Sequence, residues 1–375
     1  MKVVVNALPL CGLETGIGRY VRSLYTALED LGLEVWYFTG RLRRTMPRPA
    51  RVERWTRRTD LLWQLPWPAV VMLRIVFWWR FERRLQRALR GCSDVLYHET
   101  TFFPAAGPRP QVFTLYDLSL LLRPQDHPRE RVAFARLFLR RRLPLADHVI
   151  AISSFVRTEA LTHLGLPAEK VSAIPLAPAP HFRPPGAKAR EQVQARYHLP
   201  REYFLFVGTI DPRKNLSLVL RALARYPQAP PLVLVGWRGW GHKTLHQALE
   251  RYGLRDRVRQ LDYVPDQDLP ALYAGACALL YPSLYEGFGL PVLEAMACGC
   301  PVICSRAASL PEVAGSAAWL VDPHEPEELL EAMKRVRQQE VRQELIQRGL
   351  ERAKEFSWQK TARLTLEVFQ KVMGT

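Results

Sequence analysis

The sequence predicts an α/β fold of two doubly wound domains, each a mainly parallel sheet covered by helices. Three observations point there. The chain has 375 residues, more than one hydrophobic core ordinarily organises. Short β-branched runs alternate along it with longer helical patterns, the mark of strands joined by crossover helices. One stretch, PLAPAPHFRPPGAKAR at 175–190, separates two such sets. Its five prolines fall in the first eleven positions. Proline fixes φ and removes a donor, so the stretch reads as a linker between domains and not as helix or central strand.

The elements follow in order. Strands are expected at 2–7, 34–37, 95–97, 111–115 and 148–152 before the linker. After it they are expected at 203–208, 232–235, 258–261, 278–281, 302–304 and 318–321. The domains are then residues 1–180 and 190–357, with a helix of about 358–375 packing back onto the first. Two such domains facing each other would leave a cleft between the carboxyl ends of their sheets, where doubly wound folds bind ligands.

Charge is unevenly placed. The net value is +17, and residues 1–190 carry 30 Lys+Arg against 15 Asp+Glu, whereas residues 191–375 carry 23 against 21. A field confined to the first half attracts anions: nucleic acid, an acidic membrane surface or a phosphorylated substrate. Nucleic acid fits least, because no interleaved aromatic and basic strand motif or reading helix is present. Segment 61–91 breaks the α/β pattern with Trp, Leu and Val, then arginine. Pro66, Pro68 and Arg74 interrupt it before it could span a bilayer. From Val70 it suits a helix with Arg80, Arg83, Arg84 and Arg87 on one side and Phe77, Phe81, Leu85 and Leu89 on the other. That pattern fits a membrane interface or a helix packed on the first sheet. The opening MKVVVNALPL lacks the apolar stretch and cleavage site of a signal peptide, so a cytosolic protein is expected. The six cysteines, three of them at 298, 300 and 304, sit among Ala, Gly, Val and Ile and read as buried and reduced, with no metal.

Two motifs carry chemistry. FVGTIDPRKNL at 206–216 is an apolar strand, Gly208, a turn, and then Arg213 and Lys214 entering a helix. Two cations beside free amides make an anion site; arginine forks onto phosphate oxygens and lysine acts as a point charge. YPSLYEGFGLPVLEAMACGCPVI at 281–303 places Glu286 and Glu294 around Gly287-Phe288-Gly289, with a helix expected near Leu290-Pro291. Glycines let backbone amides approach a ligand, and ionised carboxylates accept from vicinal sugar hydroxyls. Asp266-Gln267-Asp268 precedes a helical run and reads as an N-cap, not as a metal-binding pair.

Together these motifs resemble glycosyltransferase family 4, retaining enzymes of the GT-B fold with two Rossmann-like domains. GIGRY at 16–20, DVLYHETTFFP at 94–104, DLS at 117–119 and AISSFVRTEAL at 151–161 extend the resemblance over nearly the whole chain. It implies transfer of a hexose, with mannose the first guess, from a nucleotide-diphosphate sugar to an acceptor held by the first domain; the basic, aromatic first half favours a saccharide or polyprenyl-diphosphate-linked acceptor, met peripherally at an anionic cytoplasmic membrane face. Arg213 and Lys214 would bind the diphosphate, and Glu286, with Gly287, Phe288, Gly289 and Leu290, the donor sugar. Glu294 would bind ribose, and backbone near Tyr263 and Val264 the base. Gly16 and Gly18 match a glycine turn near the donor phosphates, and His98 is the histidine that would reach the sugar. Where the family commonly has HDLS this chain has Tyr116-Asp117, assigned to the acceptor; tyrosine is a poor base at neutral pH. No cofactor or metal is implied. Two alternatives stand beside the transferase: an epimerase or polymerase on the same fold, and a nucleotide-sugar-binding relative without activity.

Overall fold

The computed structural model describes residues 1–12, 16–48, 65–92, 94–236 and 242–374. Residues 61–64 of the aromatic segment lie outside these. Contacts divide the chain into two compact units, Met1–Leu176 with Trp358–Thr375, and Ala177–Ser357.

The first unit holds a seven-stranded sheet of β1 (Lys2–Asn6), β2 (Glu34–Phe38), β3 (Leu42–Arg43), β4 (Val95–Glu99), β5 (Gln111–Leu115), β6 (His148–Ala151) and β7 (Val171–Ala173). Their spatial order is β3-β2-β1-β4-β5-β6-β7, parallel except for β3. The residues of β4 and β5 are buried throughout, as expected where helices cover both faces of a sheet. Helices Gly16–Asp30 and Trp358–Met373 pack on each other, and Trp67–Ala88 packs on Arg129–Arg142. The edge strands β3 and β7 have two and three residues. That is too short for a period-2 pattern to show in the sequence.

The second unit holds a six-stranded, wholly parallel sheet. Its strands are β8 (Phe204–Val207), β9 (Leu232–Val235), β10 (Val258–Gln260), β11 (Ala278–Tyr281), β12 (Val302–Ser305) and β13 (Trp319–Val321). The order is β10-β9-β8-β11-β12-β13. The sequences FLFV, LVLV and ALLY are fully buried and run through one core with Leu216–Ala224 and Pro326–Arg335. The proline stretch departs from the expected linker. It carries no helix or strand only as far as Gly186, and Ala187–Arg196 is a helix packed on Leu269–Gly275. The last of its prolines is Pro185, so nothing after that position opposes helix formation.

Candidate functional site

In an open parallel sheet the strand order reverses at one point, and the loops leaving the two strands there diverge into a crevice. In the second unit that point lies between β8 and β11. The β8 loop carries Arg213 and Lys214; the β11 loop carries Glu286 and the glycine turn. Asp211 opens the turn Pro212–Lys214 by accepting from the Arg213 amide at 2.9 Å, and its other oxygen lies 3.5 Å from the Arg213 guanidinium. Asn215, at φ 55, donates its side-chain amide to the carbonyls of Pro282 and Pro323 at 3.1 and 2.7 Å. Leu284 donates its amide to the Arg213 carbonyl at 2.7 Å. Two loops distant in sequence are thereby pinned together.

Lys214 Nζ lies 2.5 Å from Glu286 Oε1 and 2.5 Å from the Tyr281 hydroxyl. An ammonium has three N–H donors, so these bonds leave one for an incoming acceptor. The lysine and Glu286 side chains are 13% and 10% exposed, so little water screens them. Burial raises the Asp211 carboxyl above its ordinary range, against the pull of Arg213 and Lys214. Burial also raises the Tyr281 phenol, and Glu286 raises it further. The result is two cations held in place by two carboxylates and a phenol, suited to receiving a diphosphate between fixed charges.

The glycine turn is locked as well. Gly289 caps the helix Leu290–Ala297 at φ 107, and a Cβ there would stand 2.6 Å from Leu310 Cδ2. Ser309 Oγ lies 2.9 Å from the carbonyls of both Glu286 and Phe288, sharing its proton between them. Leu290 and Pro291 open the helix where the sequence places its start. Glu294, one turn in, is buried and accepts from the Tyr273 hydroxyl at 2.9 Å. Beside this turn the loops after β8, β9 and β10 stack closely. A Cβ on Gly236 would lie 2.1 Å from the Gly208 carbonyl oxygen, and Gly236 donates to Asp262 at 2.7 Å. Tyr263 is half-buried and Val264 buried directly after. Gly208, Tyr263, Val264, Arg213, Lys214, Glu286, Gly287, Phe288, Gly289, Leu290 and Glu294 therefore all belong to this one unit, on the carboxyl-end loops and on the helix that follows β11.

In the first unit, Gly16 is the exposed first residue of helix Gly16–Asp30 and Gly18, two residues further in, is buried. His98 is corrected. It is fully buried, its Nδ1 lies 2.7 Å from the Tyr25 hydroxyl and its Nε2 lies 2.8 Å from Thr114 Oγ1. Burial pulls its pKa down to about 3. With both ring nitrogens occupied and Phe369 packed edge-on at 5.2 Å, it holds the core together and cannot reach a sugar. Tyr116 donates to the Thr100 carbonyl at 2.8 Å, and burial raises its phenol further above neutral pH. Asp117 accepts from the Ser119 amide and hydroxyl at 2.9 and 2.6 Å, capping the next turn.

Several partners escaped the sequence reading. Asp211 had a signal, since Asp-Pro commonly opens a turn. Tyr281, Asn215 and Ser309 had none, because each acts on residues far along the chain. The same holds for Glu99, fully buried at the end of β4, which accepts from Asn6 at 2.9 and 3.0 Å and from Tyr97 at 2.9 Å. Asp268 does precede a helix, but its carboxylate binds Arg196 and the Tyr197 hydroxyl, not a helix amide. Cys277, Cys298, Cys300 and Cys304 are buried and free, whereas Cys92 is exposed. Among the described residues no group of His, Cys, Asp and Glu is arranged to hold a metal.

The family described as "Glycosyltransferase Family 4" matches residues 15–177, and "Glycosyl transferases group 1" matches residues 189–352. O-antigen chain mannosyltransferase B of Escherichia coli is 36% identical over 294 residues, 77% of this chain and 77% of its own length. Sucrose-phosphate synthase of Thermosynechococcus elongatus superposes with a TM-score of 0.78 at 21% identity, over 100% of this chain and 99% of the other. Anabaena HepE, solved with UDP-glucose, does so with a TM-score of 0.69 at 20% identity, over 99% and 100%. At such identities the two structures establish the fold, GT-B, and nothing finer. The sequence matches establish the rest: this chain belongs to glycosyltransferase family 4.

Proposed function

We propose that this glycosyltransferase moves a hexose, mannose in our reading, from a nucleotide-diphosphate sugar to a saccharide or polyprenyl-diphosphate-linked acceptor, with retention and without a metal. The observation that carries the reading is Lys214 held between Glu286 and Tyr281 beside Arg213 at the switch point of the second sheet. The mannosyltransferase relative supports the sugar, and HepE with UDP-glucose supports a nucleotide-sugar donor.

In the reaction the bond from the anomeric carbon to the diphosphate breaks, and negative charge grows on the leaving phosphate. Arg213 forks onto those oxygens and Lys214 adds its third N–H, so charge develops against groups already in position. The acceptor oxygen attacks the same face, and its proton passes to the departing phosphate oxygen, so no enzymic base is needed. Glu286 and the amides of Gly287, Phe288 and Gly289 hold the sugar hydroxyls, and Glu294 the ribose. Gly16 and Gly18 are assigned to the donor phosphates, and Tyr116 and Asp117 to the acceptor, by the family resemblance alone. The protein would work at the cytoplasmic face of a membrane. No described helix is long and apolar enough to cross one.

The test is a panel of nucleotide-sugars read by thermal shift and by release of nucleoside diphosphate. A ligand bound by the native state raises the melting point by mass action. GDP-mannose should stabilise the protein and turn over equally well with and without EDTA. A loss of turnover in EDTA would remove the metal-free part. Stabilisation without any turnover, whatever the acceptor, would favour the binding protein lacking activity.

A further inference from the structure

We propose that the outward face of helix Trp67–Ala88 is an in-plane docking surface for an anionic lipid bilayer. The helix has two opposed faces. Val71, Trp78, Phe81, Glu82, Leu85 and, just beyond its end, Leu89 are buried against the first sheet and helix Arg129–Arg142. The other face is exposed along its whole length, and its chemistry changes partway. Its first half presents Met72, Leu73, Val76, Phe77 and Trp79, each 43–59% exposed. Its second half presents Arg80, Arg83, Arg84 and Arg87, with Arg90 following. The sequence reading placed Phe77 opposite the arginines; it lies beside them, and Phe81, Leu85 and Leu89 take the packed side.

Apolar side chains this large, contiguous on one helix face, are not an ordinary surface. Arg83 stacks on the Trp79 ring at 3.8 Å, joining the apolar and cationic halves. The sole carboxylate of the helix, Glu82, faces inward, where it binds Arg142 and accepts from the Ala106 amide at 3.1 Å. No acid of this helix therefore neutralises its outward arginines. Charge decides the occupant. A second copy docking through the same face would set arginines against arginines if parallel, and against the partner's aromatic half with no acid of the helix to pair them if antiparallel. A bilayer with anionic headgroups offers hydrocarbon to the aromatic half and negative charge to the basic half. At about 1.5 Å per residue the 22 residues extend roughly 33 Å along the interface. The helix packed beside it also presents Arg136, Leu137, Arg140 and Arg141 to solvent. The assignment deepens the reading of a lipid-linked acceptor, but vesicle binding is measured apart from sugar transfer, so either can fail alone.

The full chain is sedimented with vesicles of phosphatidylcholine alone or mixed with phosphatidylglycerol. Binding should require phosphatidylglycerol and weaken as salt rises. R83E/R84E/R87E should weaken it about tenfold or more. F77S/W79S should weaken it too, with donor hydrolysis in the absence of vesicles unchanged for both. Equal binding to the two vesicle types, or wild-type binding by the charge-reversed variant, would overturn the proposal. So would a concentration-dependent dimer of the unaltered chain that F77S/W79S abolishes, since the face would then belong to a second copy.

Discussion

Lys214→Ala separates the charge-cluster reading from its alternatives, because the structure assigns that ammonium two distinct jobs. It compensates Glu286, from which it lies 2.5 Å, both side chains being nearly shielded from water. Removing it leaves the carboxylate unpaired close to Asp211, whose own carboxyl burial already raises. Breaking a buried pair in this way costs about 3–5 kcal/mol. At about 2–4 °C per kcal/mol for a unit of this size, the melting temperature should fall by roughly 6–20 °C. The second job belongs to the reaction. Losing one preorganised charge stabiliser should lower kcat by about 10²–10³, or about 2.7–4 kcal/mol in the barrier. Calorimetry and initial rates of nucleoside-diphosphate release read the two separately. The double variant Lys214→Ala/Glu286→Gln removes the uncompensated charge, so it should regain much of the lost stability while turnover stays low. Turnover by properly folded Lys214→Ala within about threefold of the unaltered chain would refute the leaving-group role.

Three further outcomes are expected. Glu294→Ala should weaken donor binding by about 1.5–3 kcal/mol, the usual value of a charged hydrogen bond; calorimetric titration with the donor showing no change would return Glu294 to a packing role beside Tyr273. Gly289→Ala forces a side chain into the left-handed region and against Leu310, so a loss of about 1–3 kcal/mol is expected from denaturant midpoints, and a neutral result would show the turn to be soft. His98 and His148 stay neutral, burial pulling their pKa values to about 3 and about 4. Because the unfolded chain takes up those protons near pH 6.5, stability is full above that pH. It falls toward pH 4 by up to about 1.4 kcal/mol per pH unit for each imidazole. His98→Gln should flatten that slope without slowing turnover of the folded fraction; an unchanged slope, or a lost kcat, would contradict its core placement.

Much of this was legible before any coordinates. All eleven expected strands differ from the observed ones by at most two end residues in total, because buried parallel strands are apolar runs bounded by breakers, whereas the short edge strands β3 and β7 were not read. The turn at Arg213-Lys214 and the helix start at Leu290 were equally plain, since Asp-Pro, Gly and Leu-Pro act on their own neighbours. Helix Trp67–Ala88 was half legible. Its period was clear, but an apolar residue at a given angle belongs to whichever side finds a partner, and Phe77 meets the rings of Trp78 and Phe81 on its own helix while half of it stays exposed.

The sequence by itself thus determined where eleven of the strands and the two site turns form and which residue types stand at each turn. Those are local matters, governed by backbone sterics and by the spacing of apolar side chains. Only the tertiary structure decided that Lys214 meets Glu286, 72 positions along the chain, because β8 became the neighbour of β11. It alone also sank His98 into the core and turned Phe77 and Trp79 outward. Strand order and burial are set by which distant surfaces cover one another, and no window of neighbouring residues carries that information.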